Sequence, residues 1–314
     1  MDKMESSPVL SVVVPMYNEA ENIGPFYEQL KKVLDNIGES YEIICVNDGS
    51  TDATLETLLK LREKDPHIKV VDLSRNFGKE IALTAGLDFS SGMAVIPIDA
   101  DLQDPPELIS QLVAKWKEGY GMVYAVRKSR LGETLFKKLT AHFFYRLAEK
   151  IMDINIPRDT GDFRLMDRSA VDALKNIRER NRFMKGLFAW VGFKHIAIYY
   201  ERDPRHKGKT GWNFFKLLNL AIEGITSFSY VPLRLATYIG LVIALMSFFY
   251  AAFIMISTLI YGNPVRGYPS LITIILFLGG VQLICMGILG EYMGRIYTEV
   301  KQRPVYVIRK TFGL

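Results

Sequence analysis

At 314 residues the chain can hold one large or two ordinary domains, and an apolar share of 49% is high for a protein wholly in water. Its net charge of +5 gathers beside two long uncharged runs without interleaved aromatic and basic motifs, which suits anionic lipid headgroups and argues against nucleic acid as a partner. Two cysteines, Cys45 and Cys285, both in apolar stretches, exclude a disulfide framework.

In chain order, Met1 to Ser7 is acidic and polar, and the apolar stretch after it stops at Pro15, so no secretory leader is expected. Short β-branched runs then alternate with longer amphipathic stretches, the pattern of successive βα units on a parallel sheet. Strands are predicted over Leu10 to Val14, Tyr41 to Val46, Ile68 to Leu73 and Ala94 to Ile98. Helices are predicted over about Ala20 to Ile37, Asp52 to Lys64 and Lys79 to Phe89. The C-terminal ends of all four strands open into polar segments, and in an open α/β sheet that edge is where ligands bind.

Leu131 to Met152 mixes apolar and basic residues. It reads either as an interface helix lying among lipid headgroups or as an ordinary helix on the sheet. Trp212 to Phe228 carries aromatics around Lys216 and runs almost directly into an apolar span. No charged side chain occurs from Leu235 to Val265 or from Gly267 to Gly290. Each run exceeds the ~20 residues a helix needs to cross a bilayer core. Transmembrane helices are therefore predicted at about 235–260 and 271–289, as a hairpin. Lys207, Lys209, Lys216 and Arg234 precede it, and Arg295, Lys301, Arg303, Arg309 and Lys310 follow it, whereas the connecting loop carries only Arg266. That bias puts both flanks, and both termini, in the cytoplasm of a multi-pass protein of the cell (inner) membrane. The expected organisation is a cytoplasmic domain over 1–210, a juxtamembrane amphipathic helix over 211–232, the hairpin over 233–291 and a cytoplasmic tail over 292–314.

Asp99 and Asp101 are two carboxylates one residue apart after an apolar strand. If the chain stays extended, both point to one side and can hold one Mg²⁺ or Mn²⁺, leaving positions open for the phosphate oxygens of a nucleotide diphosphate. The alternative is a solvated turn. Asp48, in Asn47-Asp48-Gly49-Ser50-Thr51-Asp52, fits either a turn with a helix cap or a hydrogen-bond acceptor for a nucleoside. Arg127 follows the apolar stretch Gly121 to Val126. With Arg130 it could grip a diphosphate, since guanidinium forks match phosphate oxygens, or lie in a solvated loop.

Taken together, Pro15 to Glu19, Asn47 to Asp52, Asp99-x-Asp101-x-Gln103, Arg127, Asp159-Thr160-Gly161-Asp162-Phe163-Arg164-Leu165 and Arg205-His206-Lys207-Gly208-Lys209-Thr210 resemble glycosyltransferase family 2. Within it the chain is similar to the polyisoprenyl-phosphate glycosyltransferases, most closely the bactoprenol glucosyltransferases, over essentially its whole length. The resemblance implies a glycosyltransferase A type, Rossmann-like α/β domain with a mostly parallel sheet. It also implies an inverting reaction in which a nucleotide-sugar donor, with UDP-glucose the first choice, glycosylates a polyisoprenyl (undecaprenyl) phosphate. It places Pro15, Tyr17, Glu19, Asp48, Asp99 and Arg127 around the nucleotide-sugar, and Asp99, Asp101 and Gln103 at a Mg²⁺ or Mn²⁺ ion. Asp162, Asp101 and Arg127 are then the catalytic set, and Arg130, Arg205, Lys207 and Lys209 meet the acceptor phosphate. Thr210 stands where many relatives have Ser. The Gln-x-x-Arg-Trp signature of processive synthases is absent.

An acceptor phosphate is already largely ionised at neutral pH, its second pKa being ~6, so no strong general base is obligatory. Asp162 remains open as base, sugar ligand, metal ligand or a structural group near Arg164. Competing readings are another donor, GDP-mannose or an amino-sugar nucleotide, and a catalytically idle membrane scaffold. Gly279, Gly280 and Gly287 would permit close helix packing, which leaves a homo-oligomer open.

Overall fold

The computed structural model describes residues 8–127, 160–180, 182–200, 226, 229, 231–262 and 267–314. The interface helix expected at 131–152 and nearly all of the juxtamembrane helix fall outside these residues, as do Arg130, Arg205, Lys207 and Lys209.

The four predicted strands form as β1 (Leu10–Met16), β2 (Tyr41–Asn47), β3 (Ile68–Leu73) and β4 (Ala94–Pro97). Between them run α1 (Ile23–Ile37), α2 (Thr54–Lys64) and α3 (Lys79–Phe89), and a fourth helix, α4 (Ile109–Lys117), follows. Next come β5 (Met122–Arg127), β6 (Thr160–Asp167), α5 (Arg168–Asn176), α6 (Met184–Trp190) and β7 (His195–Tyr200). Two long helices, α7 (Val231–Tyr261) and α8 (Tyr268–Val300), precede a last strand, β8 (Ile308–Phe312).

All eight strands join one sheet in the order β7-β5-β6-β4-β1-β2-β3-β8. The β4-β1-β2-β3 block is parallel, as successive βα units require. Next to it β6 runs antiparallel to both β4 and β5, while β7 is parallel to β5. At the far edge β8 pairs antiparallel with β3, so that edge of β3 is covered by the segment that follows the apolar helices.

Strand residues alternate between two cores. Val12 and Val14 of β1 face a cluster with Phe26, Leu30 and Leu34 of α1 and with Leu112 of α4. Val13 faces the opposite cluster, with Leu83 of α3, Val171 of α5 and Leu187 of α6. The result is three layers, helix on sheet on helix. Helix α3 lies very close on β1, because a Cβ added at Gly86 would sit 2.2 Å from a methyl of Val13.

Helices α7 and α8 cover both predicted spans. At ~1.5 Å per residue, the 31 residues of α7 and 33 of α8 reach roughly 45–50 Å, well beyond the ~30 Å hydrocarbon core. Their apolar side chains point outward, with Phe248 at 68% and Leu259 at 82% exposure, as lipid-facing residues must. Among the described residues, none in the most apolar stretch of either helix is buried. The pair forms the expected transmembrane hairpin, and α8 continues past its uncharged run through Glu291, Arg295 and Glu299.

Candidate active site

β1 has β2 on one side and β4 on the other, so the chain order reverses at its C-terminal end. Helices that cross opposite faces of the sheet leave a crevice at such a switch point. The segments after β1, β2, β3 and β4 meet there. Asn18, at φ 55°, accepts the Thr51 N–H at 2.9 Å, and its own N–H donates to Ser50 Oγ at 3.0 Å. The Glu19 N–H donates to Thr54 Oγ1 at 2.9 Å, and Asp52 accepts the N–H groups of Ala20 and Thr54. The Asn47 amide donates to the buried Asp72 at 2.7 Å and accepts the Ser50 N–H. Asp48 is 2% exposed, and its two oxygens accept the N–H groups of Phe77 at 2.7 Å and Gly78 at 2.9 Å. The carboxylate therefore fastens the β3–α3 segment to β2. Gly49, at φ +63°, permits this approach, since a Cβ there would lie 2.3 Å from the Arg75 carbonyl carbon.

β4 stops at Pro97, so the strand alternation expected to aim Asp99 and Asp101 to one side does not reach them. Asp99 lies just past the strand and leads into a turn that holds Asp101, with Leu102 at φ 57° and Asp101 Oδ1 accepting the Gln103 N–H at 3.1 Å. Two carboxylates and a carboxamide in one short segment are hard oxygen donors suited to Mg²⁺ or Mn²⁺. Among the described residues no three His, Cys, Asp or Glu side chains converge as a metal cluster. An ion held at this turn would draw on few protein oxygens and have positions left for phosphate.

The antiparallel neighbour supplies the other half of the site. Ala94 is level with Asp167 and Val95 with Met166, so the β6 residues before Met166 run beside the segment that leaves β4. Between them stands Lys79, the first residue of α3. Its Nζ is 2.7 Å from Asp99 Oδ2 and 2.7 Å from Asp162 Oδ2. Burial pushes the Asp162 carboxyl upward, but the Lys79 charge and hydrogen bond outweigh this and hold it at about 2. Crowding by protein atoms opposes the charge on Lys79, although its side chain is still 45% exposed, and the two carboxylates outweigh this and raise the ammonium above its usual range. Asp162 is thus an anion and Lys79 a cation at any working pH.

Beneath Asp162 lies Arg164, 4% exposed and stacked 3.7 Å from the Phe188 ring centroid. Its guanidinium donates to the carbonyls of Gly161 at 2.7 Å and Asp162 at 3.3 Å, so a buried cation braces the backbone that presents Asp162. Desolvation lowers the Arg164 pKa to about 10. Glu80, beside Lys79, accepts the Met184 N–H at 3.3 Å. Burial, and then the charge of Asp162, push its carboxyl up to about 7.

Pro15 and Tyr17 flank the end of β1, Tyr17 being 46% exposed, and Glu19 accepts from the Asn22 amide. The backbone of Arg127 ends β5 at the same edge. The structure thus gathers Pro15, Tyr17, Glu19, Asp48, Asp99, Asp101, Gln103, Asp162 and the Arg127 backbone at one end of the sheet. Lys79 went unassigned in the sequence, although it follows Gly78 at the ligand edge of β3. Asp104, which accepts from the Tyr200 hydroxyl across to β7, carried no local signal. Burial pushes the Cys45 thiol up to about 12, in keeping with inert packing.

Residues 11–175 match the model of glycosyl transferase family 2, and residues 231–296 match the GtrB C-terminal hairpin. The chain is 55% identical over 305 residues to an uncharacterized glycosyltransferase of Synechocystis sp., covering 97% of this chain and 96% of that one. It is 52% identical over 302 residues to a prophage-derived bactoprenol glucosyl transferase of Shigella flexneri, covering 96% and 98%. It is 50% identical over 301 residues to a prophage bactoprenol glucosyl transferase homolog of Escherichia coli, again covering 96% and 98%. Among solved structures it is similar to glucosyl-3-phosphoglycerate synthase from Mycobacterium tuberculosis, with TM-score 0.47 and 21% identity, covering 70% of this chain and 78% of that one.

Proposed function

This chain belongs to glycosyl transferase family 2, and from that premise we propose that it transfers a sugar from a nucleotide-sugar to the phosphate of a polyisoprenyl lipid at the cytoplasmic face of a membrane. The fold is of glycosyltransferase A type, with the hairpin appended. The observation that carries the acceptor assignment is that 50–52% identity to bactoprenol glucosyl transferases and their homologs runs through both the sheet and the hairpin. UDP-glucose is the donor of first choice. GDP-mannose and amino-sugar nucleotides are its rivals, since a diphosphate site does not read the sugar.

Orientation draws support from topology. β7 precedes the hairpin and β8 follows it, yet both belong to one sheet, so the two flanks lie on the same side of the membrane. The lysines and arginines on those flanks make that side cytoplasmic.

In the proposed reaction an acceptor phosphate oxygen attacks the anomeric carbon opposite the leaving group. The new carbon–oxygen bond forms as the bond to the nucleotide diphosphate breaks, the electron pair leaves with the diphosphate, and the anomeric centre inverts. Pro15, Tyr17, Glu19 and Asp48 frame the nucleoside end, with Asp48 acting through the segment it holds. Asp99, Asp101 and Gln103 would hold Mg²⁺ or Mn²⁺, which when bound neutralises charge on the diphosphate. Arg127 and Arg130 add guanidinium charge, and Arg205, Lys207 and Lys209 seat the acceptor phosphate. Asp162 is too acidic to deliver a proton. It is fitted to hold a sugar hydroxyl and to face positive charge developing at the anomeric carbon.

Membranes containing the full chain, supplied with polyisoprenyl phosphate and a panel of radiolabelled nucleotide-sugars, test the reading. UDP-glucose should give an organic-extractable product. Chelation by EDTA or Asp99→Asn should lower its formation by about 100-fold while the protein stays folded and membrane-bound. Failure of every donor to label lipid would refute the assignment. Full activity of Asp99→Asn in EDTA would remove the metal from it.

A further inference from the structure

Lys79 has no role in the reaction as set out above, yet it touches both halves of the site. Its ammonium binds one oxygen of Asp99, from the segment after β4, and one of Asp162, from the start of β6, each at 2.7 Å. The two oxygens can be no more than twice that distance apart. Like charges so close repel, and a shared cation between them turns repulsion into a fixed geometry. Lys79 is itself well anchored. Asp48 grips the N–H groups of the two residues before it, and α3 is seated on β1 through Gly86. The other oxygen of Asp162 is buried and has no hydrogen-bond partner among the described residues, while Lys79 holds the first in a direct ion pair.

We infer that Lys79 is a positioning residue that locks Asp162 against Asp99, so that the carboxylate at the reacting centre and the turn that receives the diphosphate keep one spacing through the transfer. The inference rests on the roles proposed above for Asp99 and Asp162. It differs from a direct grip of Lys79 on the donor diphosphate, which would show as lost donor affinity.

The experiment uses the full chain in detergent as wild type, Lys79→Met, Lys79→Arg, Asp162→Asn and the Lys79→Met/Asp162→Asn double variant. Turnover, KM for donor and UDP binding by calorimetry with Mn²⁺ are measured for each. Lys79→Met should lower kcat by about 100-fold, with UDP affinity unchanged within about threefold. The double variant should be no slower than Asp162→Asn beyond about threefold, because a residue acting through another shows non-additive losses. Lys79→Arg should recover at least about tenfold of the loss, since it restores the charge but not the shape. Multiplicative losses in the double variant, a wild-type kcat for Lys79→Met, or a fall in UDP binding that matches the fall in turnover would each overturn the inference. A wild type that makes no lipid-linked sugar from any donor would overturn the proposed function and this inference with it.

Discussion

The parallel block β4-β1-β2-β3 and the mixed block β7-β5-β6 present their site residues by different means. In the parallel block the segments after β1, β2 and β3 are held by many bonds between side chains and backbone, from Asn18, Asn47, Asp48, Ser50, Asp52 and Thr54. In the mixed block Asp162 leans on cations, with Lys79 at its carboxylate, Arg164 under its backbone and the charge of Lys185 nearby. Redundant bonds of this kind tolerate the loss of one member. The buried Arg164 does not, because removing it strands two carbonyls without solvent, and removing the half-exposed Lys79 leaves two carboxylates facing each other.

Arg164→Met is the sharpest way to break this contrast. It keeps most of the apolar contact with Phe188 but strands the carbonyls of Gly161 and Asp162, so a loss of about 3 kcal/mol in stability is expected. Thermal denaturation of the full chain should show it, with transfer falling by more than about tenfold and UDP binding largely kept. An unchanged Tm would mean that the Asp162 backbone has other supports.

A smaller effect is expected in the parallel block. Gly49→Ala puts a Cβ against the Arg75 backbone at a positive φ, and about 1–3 kcal/mol of strain should appear as weaker UDP binding through a displaced β3–α3 segment. Equal UDP affinity in variant and wild type would show that this segment is not part of the donor site.

A third effect lies at the seam between the blocks and depends on pH. Glu80 titrates at about 7 in the folded chain against 4.5 ordinarily, so between those values the folded state binds more protons than the unfolded one. Stability should therefore fall as pH rises through that window. Glu80→Gln removes the dependence. Its Tm advantage over wild type should be near zero at pH 4.5, open as pH rises, and level off above pH 7. A gap of constant size would place the origin of the effect elsewhere.

The same contrast explains what the sequence disclosed. Each strand of the parallel block is a short run of β-branched residues followed by its own helix, so β1 to β4 and α1 to α3 could be read locally. β6 could not. Thr160–Asp167 carries a buried arginine and a site aspartate, and its place beside β4 depends on a pairing between residues distant in sequence. The motif containing Asp162 was legible, but not the strand pairing that brings it within reach of the lysine held by Asp99. Lys79 was hidden for a related reason. A lysine after a glycine at a helix start looks solvated until two distant carboxylates are brought to it. The hairpin was plain because lipid exposure leaves a direct mark in composition, whereas Ile308–Phe312 has the look of a polar tail.

That last strand also sets an order of events in time. β8 lies beyond both apolar helices in the chain, so a ribosome makes it only after the hairpin has been synthesised. Until then the outer edge of β3 exposes unpaired N–H and C=O groups, which invite pairing with other chains. The sheet is therefore completed last, by a strand that arrives attached to α8, and its final closure and the delivery of the hairpin to the bilayer become steps of one assembly process.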